Sequence, residues 1–226
     1  IISEQISRSQ TARELASWTA STALGGARQG HGVVAYNRYL YAVAGKDERT
    51  VSFAKLNTSG SVAAWTETKP LPSPRERAGV AAYNGYLYVV GGEAGSTYFN
   101  DVLMAKIGAD GTLGDWATTT ALPAGRSRLG LTAYRNRLYV IGGFNGVSRA
   151  EVRVASFLGK GKVGAWTITT PLPAARSAHT TNAHDGFLYV VGGTLADGMT
   201  DEVKVSRVND DGTLGDWATA PSLPTP

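Results

Sequence analysis

The hydrophobic pattern consists of short apolar runs rather than long amphipathic stretches. Runs of about five residues, such as Tyr86–Val90 and Phe187–Val191, are bounded by Gly, Asn and Asp. This pattern is typical of β-strands joined by tight turns, and no long helical period is visible. The sequence therefore predicts an all-β protein.

The strands belong to a unit that is copied along the chain. The tryptophans recur at spacings of 47, 51, 50 and 51 residues, at Trp18, Trp65, Trp116, Trp166 and Trp217. Such a period predicts a repeat array. Each unit contains a small apolar strand, a turn, an aliphatic-tyrosine strand ending at a glycine pair, an alternating third strand and a fourth strand that begins at the tryptophan. A repeated four-stranded antiparallel unit is the blade of a β-propeller.

The strand pattern also predicts the domain organisation. Residues 1–226 form one propeller domain or part of one, with blades at about 28–68, 75–119, 126–169 and 176–220. Residues 1–18 align with the third and fourth strands of a unit and are predicted to form a half-blade. Four blades and a half-blade leave open edges, which invite further pairing. We therefore expect another chain, or a further segment, to complete the ring.

The composition of the chain limits which kinds of partner and site the sequence predicts. The net charge is +4 and the pI about 9.3, but Lys and Arg form no run, so the sequence predicts no nucleic-acid binding. Cysteine is absent, which excludes disulfides, thiol nucleophiles and cysteine-ligated metal. No apolar run reaches the roughly 18 residues that predict a membrane span. The compartment is left open, with an extracellular or cell-surface location favoured over the cytoplasm.

Three units share a motif that resembles the kelch repeat. A Leu-Pro-x-x-Arg segment is followed by a Leu-Tyr-Val stretch and two glycines, in units containing Leu71 to Gly92, Leu122 to Gly143 and Leu172 to Gly193. The first unit departs from the motif at Gly25-Gly26 and Ala44-Gly45. The resemblance implies a propeller that binds other molecules. In kelch domains that capture acidic peptides, the motif arginine and the serine after it contact the ligand, which implies this role for Arg126, Ser127, Arg176 and Ser177.

The arginines are the main candidate site. One stands before the first strand of each blade, at Arg28, Arg75, Arg126 and Arg176, and the middle blades add Arg77 and Arg128. Several guanidinium groups around one channel mouth suit a carboxylate or phosphate. The alternative is that each arginine binds the backbone or a carboxylate of a neighbouring blade and only closes the ring.

The loops after the glycine pairs differ between blades, and variable loops on a repeated scaffold are typical binding sites. Phe144 and Asn145 are the candidates there, as an exposed aromatic and an adaptable amide; the alternative is an ordinary solvated loop. His31 and His179 share a repeat position, but no third ligand of fixed spacing accompanies them. We therefore predict no metal and no cofactor.

The sequence favours a non-catalytic binding module for an acidic protein segment, acidic peptide or anionic glycan. No constellation for nucleophilic or acid–base catalysis is visible. Because some kelch propellers act on sialic acids, an enzyme of anionic sugars, mutarotase-like or lyase-like, is the alternative. A titratable group within reach of the arginines would distinguish this enzyme from a binding module. Near-identical segments at 110–118 and 211–219 keep a third alternative open, a structural or engineered repeat without an evolved ligand.

Overall fold

A computed structural model describes residues 20–224, and these form four antiparallel sheets of four strands, here called blades 1 to 4. The predicted half-blade at 1–18 lies outside the described residues. The strands nearest the central axis are β1 Gly32–Tyr36, β5 Gly79–Tyr83, β11 Gly130–Tyr134 and β15 Thr180–His184. The second strands are β2 Tyr39–Gly45, β6 Tyr86–Val90, β12 Arg137–Ile141 and β16 Phe187–Val191.

The outer half of each blade follows after a loop. The third strands are β3 Glu48–Lys55, β9 Val102–Lys106, β13 Val152–Ser156 and β19 Val203–Val208. The fourth are β4 Thr66–Thr68, β10 Ala117–Thr119, β14 Thr167–Thr169 and β20 Leu214–Ala220. Two small ribbons, β7 Glu93–Ala94 with β8 Thr97–Tyr98 and β17 Thr194–Leu195 with β18 Gly198–Met199, extend the loops of blades 2 and 4. A 3-10 turn spans Gly159–Gly161. The predicted all-β propeller fold is confirmed.

The first and second strands are joined by two-residue turns. Both central residues have positive φ, as in Asn37-Arg38 (47° and 68°) and Asn84-Gly85 (46° and 81°). Positive φ at both positions defines the type I′ turn, whose twist matches that of the flanking strands. These turns set where the first strand ends and the second begins in all four blades.

The hydrophobic core lies between neighbouring blades rather than within one sheet. Each blade-to-blade junction has its own cluster, centred for example on Leu87 and Val89 between blades 1 and 2 and on Leu138 and Val140 between blades 2 and 3. The inner strands contact in the order β1, β5, β11 and β15. This packing corrects one expectation. The third strand was predicted to alternate, but all residues of Val102 to Ala105 are buried because blades cover both faces.

The repeated tryptophans join neighbouring blades. In Trp116, Trp166 and Trp217 the indole Nε1 donates a hydrogen bond to a main-chain oxygen that follows the fourth strand of the preceding blade, as in Trp116 to Lys69 (3.0 Å) and Trp166 to Thr120 (2.9 Å). In blades 1 to 3 the fourth strand begins just after the tryptophan rather than at it. The period therefore reports junctions between blades.

Candidate functional site

The arginines at one end of the inner strands lie in two different environments. The motif arginines Arg75, Arg126 and Arg176 are 1–3% exposed and point into their own blades. The guanidinium of Arg75 binds both carboxylate oxygens of Asp101 at 2.6 and 3.0 Å and the Gly91 carbonyl at 3.1 Å. Its two terminal nitrogens are therefore used inside the blade.

Blades 3 and 4 repeat this arrangement. Arg126 donates to Glu151 (2.5 Å) and to the Gly142 carbonyl (3.3 Å). Arg176 donates to Glu202 (2.5 Å) and to the Gly192 carbonyl (3.0 Å). These contacts have a structural character, as the alternative for the arginine ring expected, but they lie within each arginine's own blade and not across to a neighbouring one. Direct ligand contact by these three arginines stays a prediction, and the proposal below uses other residues.

The two serines that follow the motif arginines are also buried. Ser127 is fully buried and donates to Glu93 (3.0 Å), and Ser177 lies 3.3 Å from the Ser148 hydroxyl. Their predicted ligand contacts likewise stay predictions.

A cavity of about 450 Å³ opens where the four blades meet. It is lined by two consecutive residues from each blade, Gly30, His31, Arg77, Ala78, Arg128, Leu129, Ala178 and His179. Main-chain hydrogen bonds link the first residues of these pairs in series: Arg77 N–H donates to Gly30 (2.6 Å), Arg128 N–H to Arg77 (2.8 Å) and Ala178 N–H to Arg128 (2.9 Å). We call this cavity and its rim the central mouth.

The backbone at the central mouth is strained. Arg77 and Arg128 have φ of 53° and 52°, in the left-handed region that costs a non-glycine residue about 1–2 kcal/mol. The strain aims both side chains away from the blades, and they are 39% and 36% exposed. Gly30 and Ala178, at the same position of blades 1 and 4, share this geometry (φ of 66° and 55°), so it is a property of the repeat. The predicted pair Arg77 and Arg128 is thus brought together at the mouth.

A buried carboxylate lies between these two arginines. Glu93 is 4% exposed, and its Oε1 accepts from Arg77 (2.5 Å) and Arg128 (3.4 Å). Burial alone would raise the pKa of Glu93, but the hydrogen bonds from Arg77 and Ser127 and the charge of Arg128 hold it below its usual range. Arg77 has a second carboxylate, Glu76, at 3.5 Å, whereas Arg128 has only the shared one among the described residues.

The predicted loop pair, Phe144 and Asn145, contacts two arginine side chains. The Phe144 ring lies 5.1 Å from the Arg128 guanidinium carbon and packs edge-on to Tyr98. Asn145 Oδ1 accepts from Arg149 Nε at 2.8 Å. Arg149 is exposed and has no carboxylate within ion-pair distance in residues 20–224. Phe144, predicted as exposed, is half-buried because these neighbours flank it.

Glu93, Tyr98 and Arg149 are the functional candidates that the sequence reasoning missed. Glu93 and Arg149 lie in variable loops, where the repeat pattern gives no guidance. The only signal for Glu93 was the presence of Arg77 and Arg128 two residues after the motif arginine, since neighbouring cations favour a nearby carboxylate. His31 and His179 both line the mouth, and neither ring nitrogen of His179 has a hydrogen-bond partner within the described chain. Residues 20–224 contain no group of three or more possible metal ligands.

Comparison with known proteins decides the family. The family model described as the KLHDC2/KLHL20/DRC7 Kelch-repeats domain matches residues 10–193, most of the chain. The chain belongs to the kelch-repeat family. Among solved structures, the kelch-repeat chain is similar to one titled "Structure of YjhT", with a TM-score of 0.74 and 17% identity over 91% of this chain and 69% of that one. At this identity the likeness shows the fold alone. No curated protein matches significantly.

No helix within 20–224 has the length and apolar character needed to cross a bilayer. Kelch-repeat domains generally serve in protein interaction. Of the predicted ligand residues, Arg77 and Arg128 line the central cavity.

Proposed function

We propose that this kelch-repeat domain is a binding module that receives an acidic protein segment at the central mouth. The observation that carries the proposal is the pair Arg128 and Arg149. Phe144 lies against the Arg128 guanidinium, and the next residue, Asn145, accepts a hydrogen bond from Arg149. In residues 20–224 the only carboxylate within 4.0 Å of either guanidinium is Glu93, which Arg128 shares with Arg77, and Glu151 lines a cavity together with Arg149. Planar guanidinium donors match carboxylates in geometry and charge.

Neighbouring groups define the kind of ligand. Arg128 keeps one terminal nitrogen without a carboxylate, and the adjoining cavity wall includes the apolar Leu129 and Ala178. Tyr98 and Phe144 add an aromatic surface beside it. A side-chain carboxylate on an extended peptide, with a small apolar neighbour, fits these groups better than a highly charged polyanion because Glu76 and Glu93 already reduce the positive charge of the mouth.

Fluorescence anisotropy with a labelled Glu-Gly decapeptide and its Gln-Gly counterpart tests the proposal. We expect the Glu peptide to bind and Arg128→Ala or Arg149→Ala to weaken binding about tenfold or more, since a charge-assisted hydrogen bond contributes about 1.5–3 kcal/mol. Arg135→Ala is the matched control, because Arg135 is half exposed and lies at the opposite end of β11. Equal loss in all three variants, or equal binding of both peptides, would refute the proposal.

One observation supports the second candidate, an enzyme of anionic sugars. Glu93 is a titratable carboxylate within reach of Arg77 and Arg128, the feature expected of such a site. All its oxygens are engaged by three donors, and its lowered pKa keeps it ionised, which suits a structural counter-charge better than a proton donor. Anomerisation of N-acetylneuraminate, followed by NMR and abolished by Glu93→Gln, would favour the enzyme.

A further inference from the structure

The sequence contains two Asn-Gly pairs, Asn84-Gly85 and Asn145-Gly146. In such a pair the main-chain nitrogen of the glycine can attack the side-chain amide of the asparagine, because the glycine has no side chain to block the approach. The attack requires that this nitrogen is not held in a hydrogen bond and that the backbone has room to move. The surroundings of each pair therefore decide how fast it reacts.

The first pair is held in place. Asn84-Gly85 forms the turn between β5 and β6, and the Gly85 N–H donates to the Tyr36 hydroxyl at 2.8 Å. The Gly85 carbonyl accepts a hydrogen bond from the Ile107 N–H, also at 2.8 Å. Both bonds have to break before the Gly85 nitrogen reaches the Asn84 side chain, so this pair is protected.

The second pair lies in the irregular loop that follows β12. Gly146 is exposed with φ of 96°, and a Cβ placed on it would have no other atom within 4 Å. Its N–H donates no hydrogen bond to another group of residues 20–224. The attacking nitrogen is therefore unhindered.

Arg149 activates the carbonyl that is attacked. Its Nε–H donates to Asn145 Oδ1 at 2.8 Å. When the Gly146 nitrogen bonds to Asn145 Cγ, negative charge develops on this oxygen, and a guanidinium donor stabilises that charge. The loop thus holds the nucleophile, the electrophile and a stabilising cation.

We propose that Asn145 is a self-modifying site, at which the chain, assisted by Arg149, converts the amide to a carboxylate without an enzyme. The Gly146 nitrogen bonds to Asn145 Cγ and gives up its proton, the Cγ–Nδ2 bond breaks, and the amide nitrogen leaves with that proton as ammonia. Water then opens the cyclic imide at either of its carbonyl carbons, which gives aspartate or isoaspartate.

The product changes the charge beside the central mouth. A carboxylate at position 145 takes the place of the amide oxygen that now accepts from Arg149, so it pairs with that guanidinium. Arg149 is then withdrawn from a ligand carboxylate. This consequence for binding rests on the function proposed above, whereas the reaction at Asn145 does not.

Peptide mapping by mass spectrometry follows both asparagines in one sample, through the mass change from amide to acid at mildly alkaline pH. We expect Asn145 to react at least about tenfold faster than Asn84 in the folded protein, because two hydrogen bonds hold Gly85. In urea the two rates should become similar. Similar rates in the folded protein, or a faster reaction at Asn84, would overturn the proposal.

Arg149→Ala tests the activation of the carbonyl. It should lower the ratio of the Asn145 rate to the Asn84 rate about tenfold, since a charge-assisted hydrogen bond is lost. Arg135→Ala should leave the ratio unchanged. Because Asn84 reports any loosening of the fold in the same sample, an unchanged ratio in Arg149→Ala also overturns the proposal.

Asn145→Asp carries the product from the start and tests the effect on the ligand. Fluorescence anisotropy with the Glu-Gly decapeptide should show about tenfold weaker binding, whereas the matched control Asn84→Asp should bind as the wild type does. If the wild type binds the peptide and Asn145→Asp binds it equally, the effect on the ligand proposed here is wrong. If the wild type does not bind, the proposed function fails, and the two deamidation rates still decide the chemistry at Asn145.

Discussion

Residues at equivalent positions of the four blades show how one side-chain type acquires different roles. The motif arginine is buried against a carboxylate, whereas an arginine two residues later has left-handed backbone geometry and faces the central mouth. The next residue in the chain packs between two blades. It is Leu129 in blade 3 and His179 in blade 4. His179 is 8% exposed and packs against Gly130 and Gly142 of the preceding blade.

The buried imidazole predicts a pH dependence of stability. Burial, helped by the charge of Arg176, lowers the pKa of His179 from 6.5 to about 4. Between these values the unfolded chain binds the proton and the folded one does not, so stability falls as pH decreases from 6.5 towards 4, by roughly 3 kcal/mol in total.

Denaturant unfolding at pH 7 and pH 4.5 measures this effect. His179→Leu, which copies Leu129, should remove most of the pH-dependent loss, while His184→Leu, at an exposed position, should leave it in place. An unchanged pH profile in His179→Leu would contradict the assignment.

At the scale of the element, one hydrogen bond is repeated at every junction between described blades. The second-strand tyrosine donates its hydroxyl to a glycine carbonyl in the outer turn of the next blade, in Tyr41 to Gly111 (2.8 Å) and Tyr88 to Gly161 (2.9 Å). Tyr139 and Gly212 repeat the bond at 2.9 Å. The turn glycine fits there because a Cβ at Gly161 would lie 2.6 Å from the Tyr86 ring. The fourth tyrosine, Tyr189, makes no such bond within residues 20–224.

This repetition supplies a matched pair of variants. Tyr88→Phe leaves the buried Gly161 carbonyl without its donor and should lower the free energy of unfolding by about 1–2 kcal/mol. Tyr189→Phe should change it by less than about 0.5 kcal/mol, since no comparable bond is lost. Urea denaturation of both variants checks the difference, and equal losses would show that the bond is not what stabilises the junction.

Local sequence signals predicted the inner strands because turn residues such as Asn84-Gly85 fix both their limits and their register. Burial of the third strand was not predictable from alternation, since it depends on the blades on either side. The positions of the arginines were predicted, but the sequence did not show which of them are buried in a blade and which face the central mouth. That distinction depends on carboxylates such as Asp101 and Glu93, which lie 26 and 16 residues from Arg75 and Arg77 in the chain.

At the scale of the whole molecule, the fold brings together groups from separate blades that have no local relation. Arg77 and Glu93 belong to blade 2, whereas Arg128, Phe144 and Arg149 belong to blade 3. Glu93 bridges the two blades through Arg128 and Ser127. It acts as an internal carboxylate at the place where the proposed ligand would put its own. If the mouth receives a carboxylate as proposed, we expect Glu93 to compete with it for Arg77 and Arg128.

Calorimetric titration of the Glu-Gly decapeptide into Glu93→Gln tests this account most directly. Glutamine keeps the size and the acceptor oxygen of Glu93 but removes the charge shared by Arg77 and Arg128. We predict that Glu93→Gln binds the peptide about fivefold or more tightly than the wild type, a gain of about 1 kcal/mol, and that adding Arg128→Ala removes the gain. Unchanged or weaker binding by a folded Glu93→Gln variant would contradict the central claim that this mouth receives a carboxylate.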